Sequence, residues 1–171
     1  MVKTINSRII HKGKNFIFLV DEVELSNGQI TLRDIVRHPG AVAIVPILDD
    51  GRVILIRQYR YAPNMMLLEI PAGTMEQGEL PIQCAARELK EETGYEAEKL
   101  EYFMSCYMAP GYSDEIIRFF LARELTMVGD NPEVDENITL EIHSLDEVHR
   151  LIKENIIEDA KTIIGILNVK K

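Results

Sequence analysis

The chain has 171 residues, 46% of them hydrophobic and 27% charged, with a formal net charge of −9. That length suits one well-buried domain, and the ordinary composition, free of repeats and low-complexity tracts, excludes a wholly disordered chain. The acidic balance argues against a protein that grips nucleic acid through a basic surface, and implies that phosphates would be met through metal ions.

Three strands are predicted at the N-terminus, Thr4 to Ile10, Phe16 to Leu25 and Gln29 to Val36, the last two joined by Asn27-Gly28. Asn-Gly between alternating segments is a hairpin signal because both residues tolerate positive φ. Ala41 to Leu48 and Arg52 to Arg60 follow, turned in the same way by Asp49-Asp50-Gly51. After a loop at Pro63-Asn64, a short strand from Leu67 to Ile70 leads through Pro71-Ala72-Gly73 into an acidic helix. Pro81 suits the first turn of that helix and Gly94 a left-handed cap, which places it at Pro81 to Thr93. Strands resume at Ala97 to Tyr107, Glu115 to Ala122 and Thr139 to Ser144. A second helix is expected from Ser144, with Glu147 completing a capping box and Val148, Leu151 and Ile152 on one face. Asp159 to Leu167 is predicted as a terminal helix, and Gly129 to Glu136 as an exposed acidic loop. The pattern divides into an N-terminal β-sheet extension, residues 1–38, and a catalytic domain, residues 39–171.

Two cysteines, Cys84 and Cys106, support neither a disulfide framework nor a zinc site and are expected as reduced, packed thiols. The N-terminal segment breaks its apolar residues with Lys, Arg, Asn and Asp, so nothing there approaches the ~18 apolar residues of a membrane span. The expectation is a cytoplasmic protein with neither membrane nor nucleic acid as partner.

The densest chemistry lies between Gly73 and Tyr95, GTMEQGELPIQCAARELKEETGY, with Gly73, Glu79, Arg87, Glu88, Glu91, Glu92 and Gly94 in the frame G-x5-E-x7-R-E-L-x-E-E-x-G. Helical neighbours lie three and four apart, so Glu88, Glu91 and Glu92 share a face and Arg87 pairs with Glu91. Such carboxylates repel one another unless a cation sits among them. An all-oxygen donor set favours Mg²⁺ or Mn²⁺ over zinc, with Arg87 orienting Glu91 behind the metals. A solvated charged helix is the plain alternative, but seven fixed positions, each near ~6% abundance, coincide by chance on the order of once in a million chains of this length.

The segment resembles the Nudix box of the Nudix hydrolases at every charged and glycine position; the departure is Tyr95, where that family usually carries an aliphatic residue. The resemblance implies an α/β fold, an α/β/α sandwich around a mixed sheet, and Mg²⁺-dependent hydrolysis of a nucleoside diphosphate linked to another group. It makes Glu88 and Glu92 metal ligands, with Glu91 near the same metals and the Ala72 carbonyl as a backbone ligand. Gly73 would let the loop approach the metals, and Glu79 would hold the loop against the helix.

Pro110, sixteen residues beyond Gly94, resembles the mark of the ADP-ribose pyrophosphatase subgroup. Arg37-His38-Pro39-Gly40-Ala41, Arg57-Gln58-Tyr59-Arg60 and Glu69-Ile70-Pro71-Ala72-Gly73 resemble the same subgroup. Arg60 ends a strand aimed at the metal loop, where its guanidinium can hold a pyrophosphate oxygen; Arg57, on the opposite face, reads as a surface or interface charge. The subgroup implies an acidic residue after the proline that assists the attacking water, with Glu115 the candidate base and Asp114 its competitor. Pro110 and Gly111 are counted with Arg60 and Arg33 as substrate-binding positions. The three opening strands resemble a sheet used in dimerisation, exchanged across a twofold homodimer and clasping adenosine, and the apolar and aromatic residues Phe16, Phe18 and Val20 agree with a buried interface. His38 has no assigned role. Hydrolysis of ADP-ribose to AMP and ribose 5-phosphate is the leading expectation. A nucleotide sugar such as GDP-mannose, NADH or a diadenosine polyphosphate is the enzymatic alternative, and a non-catalytic ADP-ribose sensor the alternative of another class.

Overall fold

The computed structural model describes residues 2–129 and 138–169. The acidic loop expected from Gly129 to Glu136 therefore lies, past Gly129, outside the described residues. The chain forms two compact units, one of Met1–Gly40 with Cys106–Ile117 and the other of Ala41–Ser105 with Arg118–Lys171.

The first unit carries strands β1 (Lys3–Lys12), β2 (Ile17–Glu24) and β3 (Ile30–Arg37), hydrogen-bonded antiparallel in the order β1-β2-β3. The β2–β3 turn is closed by Gly28 N donating to Leu25 O at 2.9 Å and Leu25 N to Gln29 O at 2.8 Å, with Gly28 at φ 80°. Only the glycine is left-handed there, so Asn27 acts through its side chain, accepting from Gln29 N. Within the chain the buried face of β2 is Leu19, Asp21 and Val23. The alternate face, with Phe16, Phe18 and Val20, is the less buried one within the chain, Phe16 being 44% exposed. Every residue of β1 is exposed.

The second unit contains β4 (Ala41–Pro46), β5 (Arg52–Arg60), β6 (Met65–Glu69), β7 (Ala72–Thr74), helix α1 (Pro81–Thr93), the bodies of β8 (Tyr95–Tyr107) and β9 (Ile116–Met127), β10 (Ile138–Ser144), α2 (Leu145–Lys153) and α3 (Ala160–Asn168). Four strands run in the order β7-β4-β9-β8 and three in the order β10-β5-β6. β4 is buried along its whole length, as a central strand covered on both faces must be. Its alternation serves two cores: Val42 and Ile44 pack with Cys84, Ala85 and Leu89 of α1 and with Phe120 and Ala122. Toward α3, Gly165 approaches Val45, Ile70 and Phe119 so closely that a Cβ there would lie 2.9 Å from Ile70 Cδ1. The site helix is thereby pressed onto one side of β4 and the terminal helix onto the other.

α1 begins and ends where its sequence says. Pro81 occupies the first turn, Gln83 Oε1 accepts from Leu80 N at 3.0 Å, and Gly94 closes the helix at φ 72° with its N donating to Lys90 O. Ser144 caps α2 by accepting from Glu147 N, but the Glu147 carboxylate faces His143 and Arg150, so the expected capping box is half formed. β7 was not anticipated. Three residues of alanine, glycine and threonine carry no strand pattern, and they become one only by pairing antiparallel with Ala41–Ala43.

Candidate active site

One arginine organises the acidic helix. Arg87 donates Nε to Glu79 Oε1 at 2.9 Å and Nη2 to Glu79 Oε2 at 3.1 Å, and Nη1 to Glu88 at 2.8 Å and Glu91 at 2.9 Å. Glu79 also accepts from Glu76 N, which ties the loop before α1 to the helix face, as expected of it. The Arg87 bond holds Glu79 down to about 2, and Glu79 in turn raises Arg87. Burial pushes the Glu88 carboxyl up, and the neighbouring Arg87 only partly opposes that. Glu88 is thus a half-buried carboxylate whose ionised form is disfavoured by burial and supported by Arg87.

Two further contacts join α1 to β7. Glu92, 7% exposed, accepts from Ala72 N at 2.8 Å. Gly73 faces Glu88 so directly that a Cβ on it would sit 1.8 Å from Glu88 Cδ and 1.9 Å from Oε1. The side chain that glycine lacks is the space the Glu88 carboxylate occupies. Cys84, buried beneath this face, has its thiol pushed up to about 12 by burial; its Sγ donates to Thr74 O at 3.7 Å and accepts from Arg87 Nη2 at 3.4 Å.

Among the described residues, no three or more His, Cys, Asp or Glu side chains already converge as a metal cluster. Arg87 holds Glu88 and Glu91, and the Ala72 amide holds Glu92. The donor set nevertheless fits a hard divalent cation: carboxylates only, Glu88 and Glu92 with little solvent to satisfy them, beside a loop whose glycine leaves Glu88 its space.

Arg60, at the end of β5, is bound bidentately by Glu69 of β6, Nε to Oε1 at 2.8 Å and Nη2 to Oε2 at 2.7 Å. Glu69 is the largest cause of the raised affinity of Arg60 for its proton, and the Glu92 carboxylate adds to the same field. Arg60 therefore lies within electrostatic reach of the acidic helix. Arg57, on the other face of β5, pairs with Glu141 of β10 at 2.5 Å, the surface role expected of it.

The remaining candidates belong to the first unit. Asp114 accepts from His38 N at 2.8 Å and from Arg37 Nη1 at 3.0 Å, while Asp114 N and Tyr112 O bond the two backbone groups of Val36. Burial alone would raise its carboxyl, but the His38 amide and Arg37 outweigh that and hold it below the usual range. Asp114 is thus a staple between the end of β3 and the Pro110 turn. Glu115 uses its backbone for Met108 N and the Ser113 hydroxyl, and its carboxylate lies 3.9 Å from His38 Nδ1. That nitrogen already accepts from Gly40 N at 3.1 Å. Arg33, on β3, donates to Leu32 O at 3.0 Å at an exposed position. Pro110 and Gly111 form the turn in which Tyr112 N and Ser113 N both donate to Ala109 O. Glu69 and Lys161, whose side chains meet, had no role in the sequence reading, because nothing local marks a pair separated by 92 positions.

Comparison with known proteins agrees with the geometry. A NUDIX domain model matches residues 37–164. The chain is 42% identical over 166 residues to an ADP-ribose pyrophosphatase of Bacillus subtilis, covering 96% of this chain and 90% of that protein. A methanol dehydrogenase activator of Bacillus methanolicus shows the same identity and coverage, and an ADP-ribose pyrophosphatase of Mycobacterium tuberculosis is 37% identical over 98% of this chain and 82% of its own. Among solved structures, a crystal structure of an ADP compounds hydrolase superposes with a TM-score of 0.85 at 24% identity, covering 97% of this chain and 90% of that one, and shows the fold. The chain belongs to the Nudix hydrolase family.

Proposed function

We propose that the protein is a Mg²⁺-dependent pyrophosphatase, with Mn²⁺ as a substitute, that hydrolyses ADP-ribose to AMP and ribose 5-phosphate. The observation that carries the reaction is the Arg87-ordered carboxylate face packed against Gly73. Identity with two ADP-ribose pyrophosphatases supports the substrate. Glu88, Glu92, Glu91 and the Ala72 carbonyl would hold the metals, which supply neutralisation of the diphosphate and a more acidic water. Arg60 presents a planar fork to a diphosphate oxygen and Arg87 keeps Glu88 and Glu91 in place. Water attacks one phosphorus and gives its proton to the base, the bridging P–O bond breaks, and the leaving phosphate keeps the electron pair.

Because the methanol dehydrogenase activator is as similar as the Bacillus subtilis pyrophosphatase, identity alone does not select the substrate. Comparing kcat/KM for ADP-ribose, ADP-glucose, GDP-mannose, NADH and diadenosine polyphosphates, with products identified, is the deciding experiment. ADP-ribose should lead and yield AMP. A preference for another member of the panel would reassign the substrate, and no turnover with any of them would favour a sensor.

Glu115 is our candidate base, since the Asp114 carboxylate is already engaged by His38 N and Arg37. Glu115→Gln is expected to lower kcat about 10²–10³-fold with little change in KM, in the range of general acid–base catalysis, whereas Asp114→Asn should act mainly on stability. If Asp114→Asn shows the kcat loss while Glu115→Gln turns over normally, the base is Asp114 instead.

We further propose that residues 1–38 serve dimerisation and 39–171 catalysis, in a cytoplasmic homodimer with exchanged N-terminal strands. Support comes from β1, where Ile5, Ile9 and Ile10 are 48%, 60% and 47% exposed on a strand with one partner. No helix among the described residues is long and apolar enough to cross a membrane. Sedimentation equilibrium should return twice the 19.5 kDa chain mass, and a chain-mass species at micromolar concentration would remove the dimer.

A further inference from the structure

Glu69 is 1% exposed, and two cations share its carboxylate. Arg60 binds it through both fork nitrogens, and Lys161 Nζ, on α3, donates to Glu69 Oε2, the oxygen that also receives Arg60 Nη2. The two cations are placed differently. Lys161 is 9% exposed and held a second time by Asp159 at 3.1 Å, while the Arg60 side chain is 36% exposed. Asp159 in turn accepts from Thr162 N and Oγ1, and the Thr162 hydroxyl accepts from Ile70 N at 2.9 Å. The buried end of this cluster is therefore bolted to the segment entering Pro71-Ala72-Gly73, and its solvent end is the guanidinium.

A buried carboxylate stripped of its only cation is strongly destabilising, so a lone partner is in practice locked in place. Glu69 has two partners, and one of them is fixed. We propose that Lys161 is a positioning residue: a standing counter-ion of Glu69 that lets Arg60 leave this carboxylate for the diphosphate of the substrate. The inference rests on the assignment of Arg60 to the diphosphate made above. With Lys161 in place, Arg60 exchanges one bidentate anion for another and Glu69 keeps a cation throughout. Without it, substrate and Glu69 compete for the same guanidinium.

The test is the affinity for α,β-methylene ADP-ribose, a non-hydrolysable diphosphate analogue, by calorimetry, beside kcat and KM for ADP-ribose. Lys161→Met should weaken the analogue tenfold or more and raise KM in parallel, with kcat at saturation within about threefold of wild type. Arg60→Met should weaken it similarly, and the double variant Lys161→Met, Arg60→Met should be no worse than Arg60→Met alone. Adding Glu69→Gln to Lys161→Met should recover affinity to within about threefold of wild type, because an amide does not hold the guanidinium as a carboxylate does. A role in packing alone predicts no such recovery, and Lys161→Arg should retain affinity. Should Lys161→Met not fold, Lys161→Gln, a donor without the charge, carries the same expectations. If Arg60→Met weakens the analogue while the Lys161 variant binds within twofold of wild type, or if the two losses multiply, the inference is overturned. If Arg60→Met binds normally, the assignment of Arg60 fails and this inference with it.

Discussion

Replacing Glu92 by Gln is expected to lower kcat/KM on the order of 10³-fold, comparable to removing a charged group that acts directly on the transition state. The exchange is close to isosteric, and an amide oxygen can still accept the Ala72 amide that Glu92 Oε2 receives at 2.8 Å. What disappears is one negative charge at a buried position beside the loop. The melting temperature should therefore move little, while the Mg²⁺ concentration giving half-maximal rate should rise, because one anionic ligand has become neutral. Glu91, with its side chain 42% exposed and already paired to Arg87, should tolerate the same change better. Turnover close to wild type in Glu92→Gln, at Mg²⁺ levels that half-saturate the native enzyme, would end the assignment of Glu92 as a metal ligand.

Gly73→Ala is the second large effect, and its cause is space. The new methyl would meet Glu88 Cδ at 1.8 Å and Oε1 at 1.9 Å, far inside van der Waals contact. Glu88 cannot stay, so its bond to Arg87 Nη1 is lost, or β7 must leave its pairing with β4 at Val42. Either way activity should fall about 10²–10³-fold, as for the loss of a group aligned on the reacting centre, with stability lower by about 1–3 kcal/mol from overpacking. The two effects separate in a second variant: adding Glu88→Ala removes the clash and should restore the melting temperature while activity stays low. If Gly73→Ala is fully active, or if stability does not return in the double variant, the close approach of β7 to Glu88 does not govern the site.

Both effects were legible only in part before the fold was known. The frame of glycines and glutamates marks Gly73 and Glu88 as belonging together, and helical spacing places Glu88, Glu91 and Glu92 on one face. It does not show that the missing Gly73 side chain and the Glu88 carboxylate occupy the same volume, which needs β7 paired on β4 and α1 packed across it. Arg87 was read as a partner of Glu91 from i,i+4 spacing. That it also grips Glu79 and Glu88 follows from the way the loop before α1 folds back.

Where local chemistry punctuates an element, its limits can be read from the chain. Pro81 and Gly94 bound α1, and Asp49-Asp50-Gly51 sets the start of β5 at Arg52. β7 escaped because three small residues have no pattern of their own. The Asp114 staple to His38 N spans 76 positions, and the contact between Lys161 and Glu69 spans 92. Charges that far apart carry no mutual signal along the chain.

The sequence by itself therefore determined the family, the acidic face of α1 and the order of the helices and of every strand but β7, because propensity, capping and side-chain period act over a few neighbouring residues. Beyond the Arg87–Glu91 pair, tertiary structure decided which carboxylates are spoken for, by Arg87, the Ala72 amide, His38 N or the two cations Arg60 and Lys161. Those contacts depend on which strands lie side by side, and a charge in a folded chain is defined by the partner that burial leaves it.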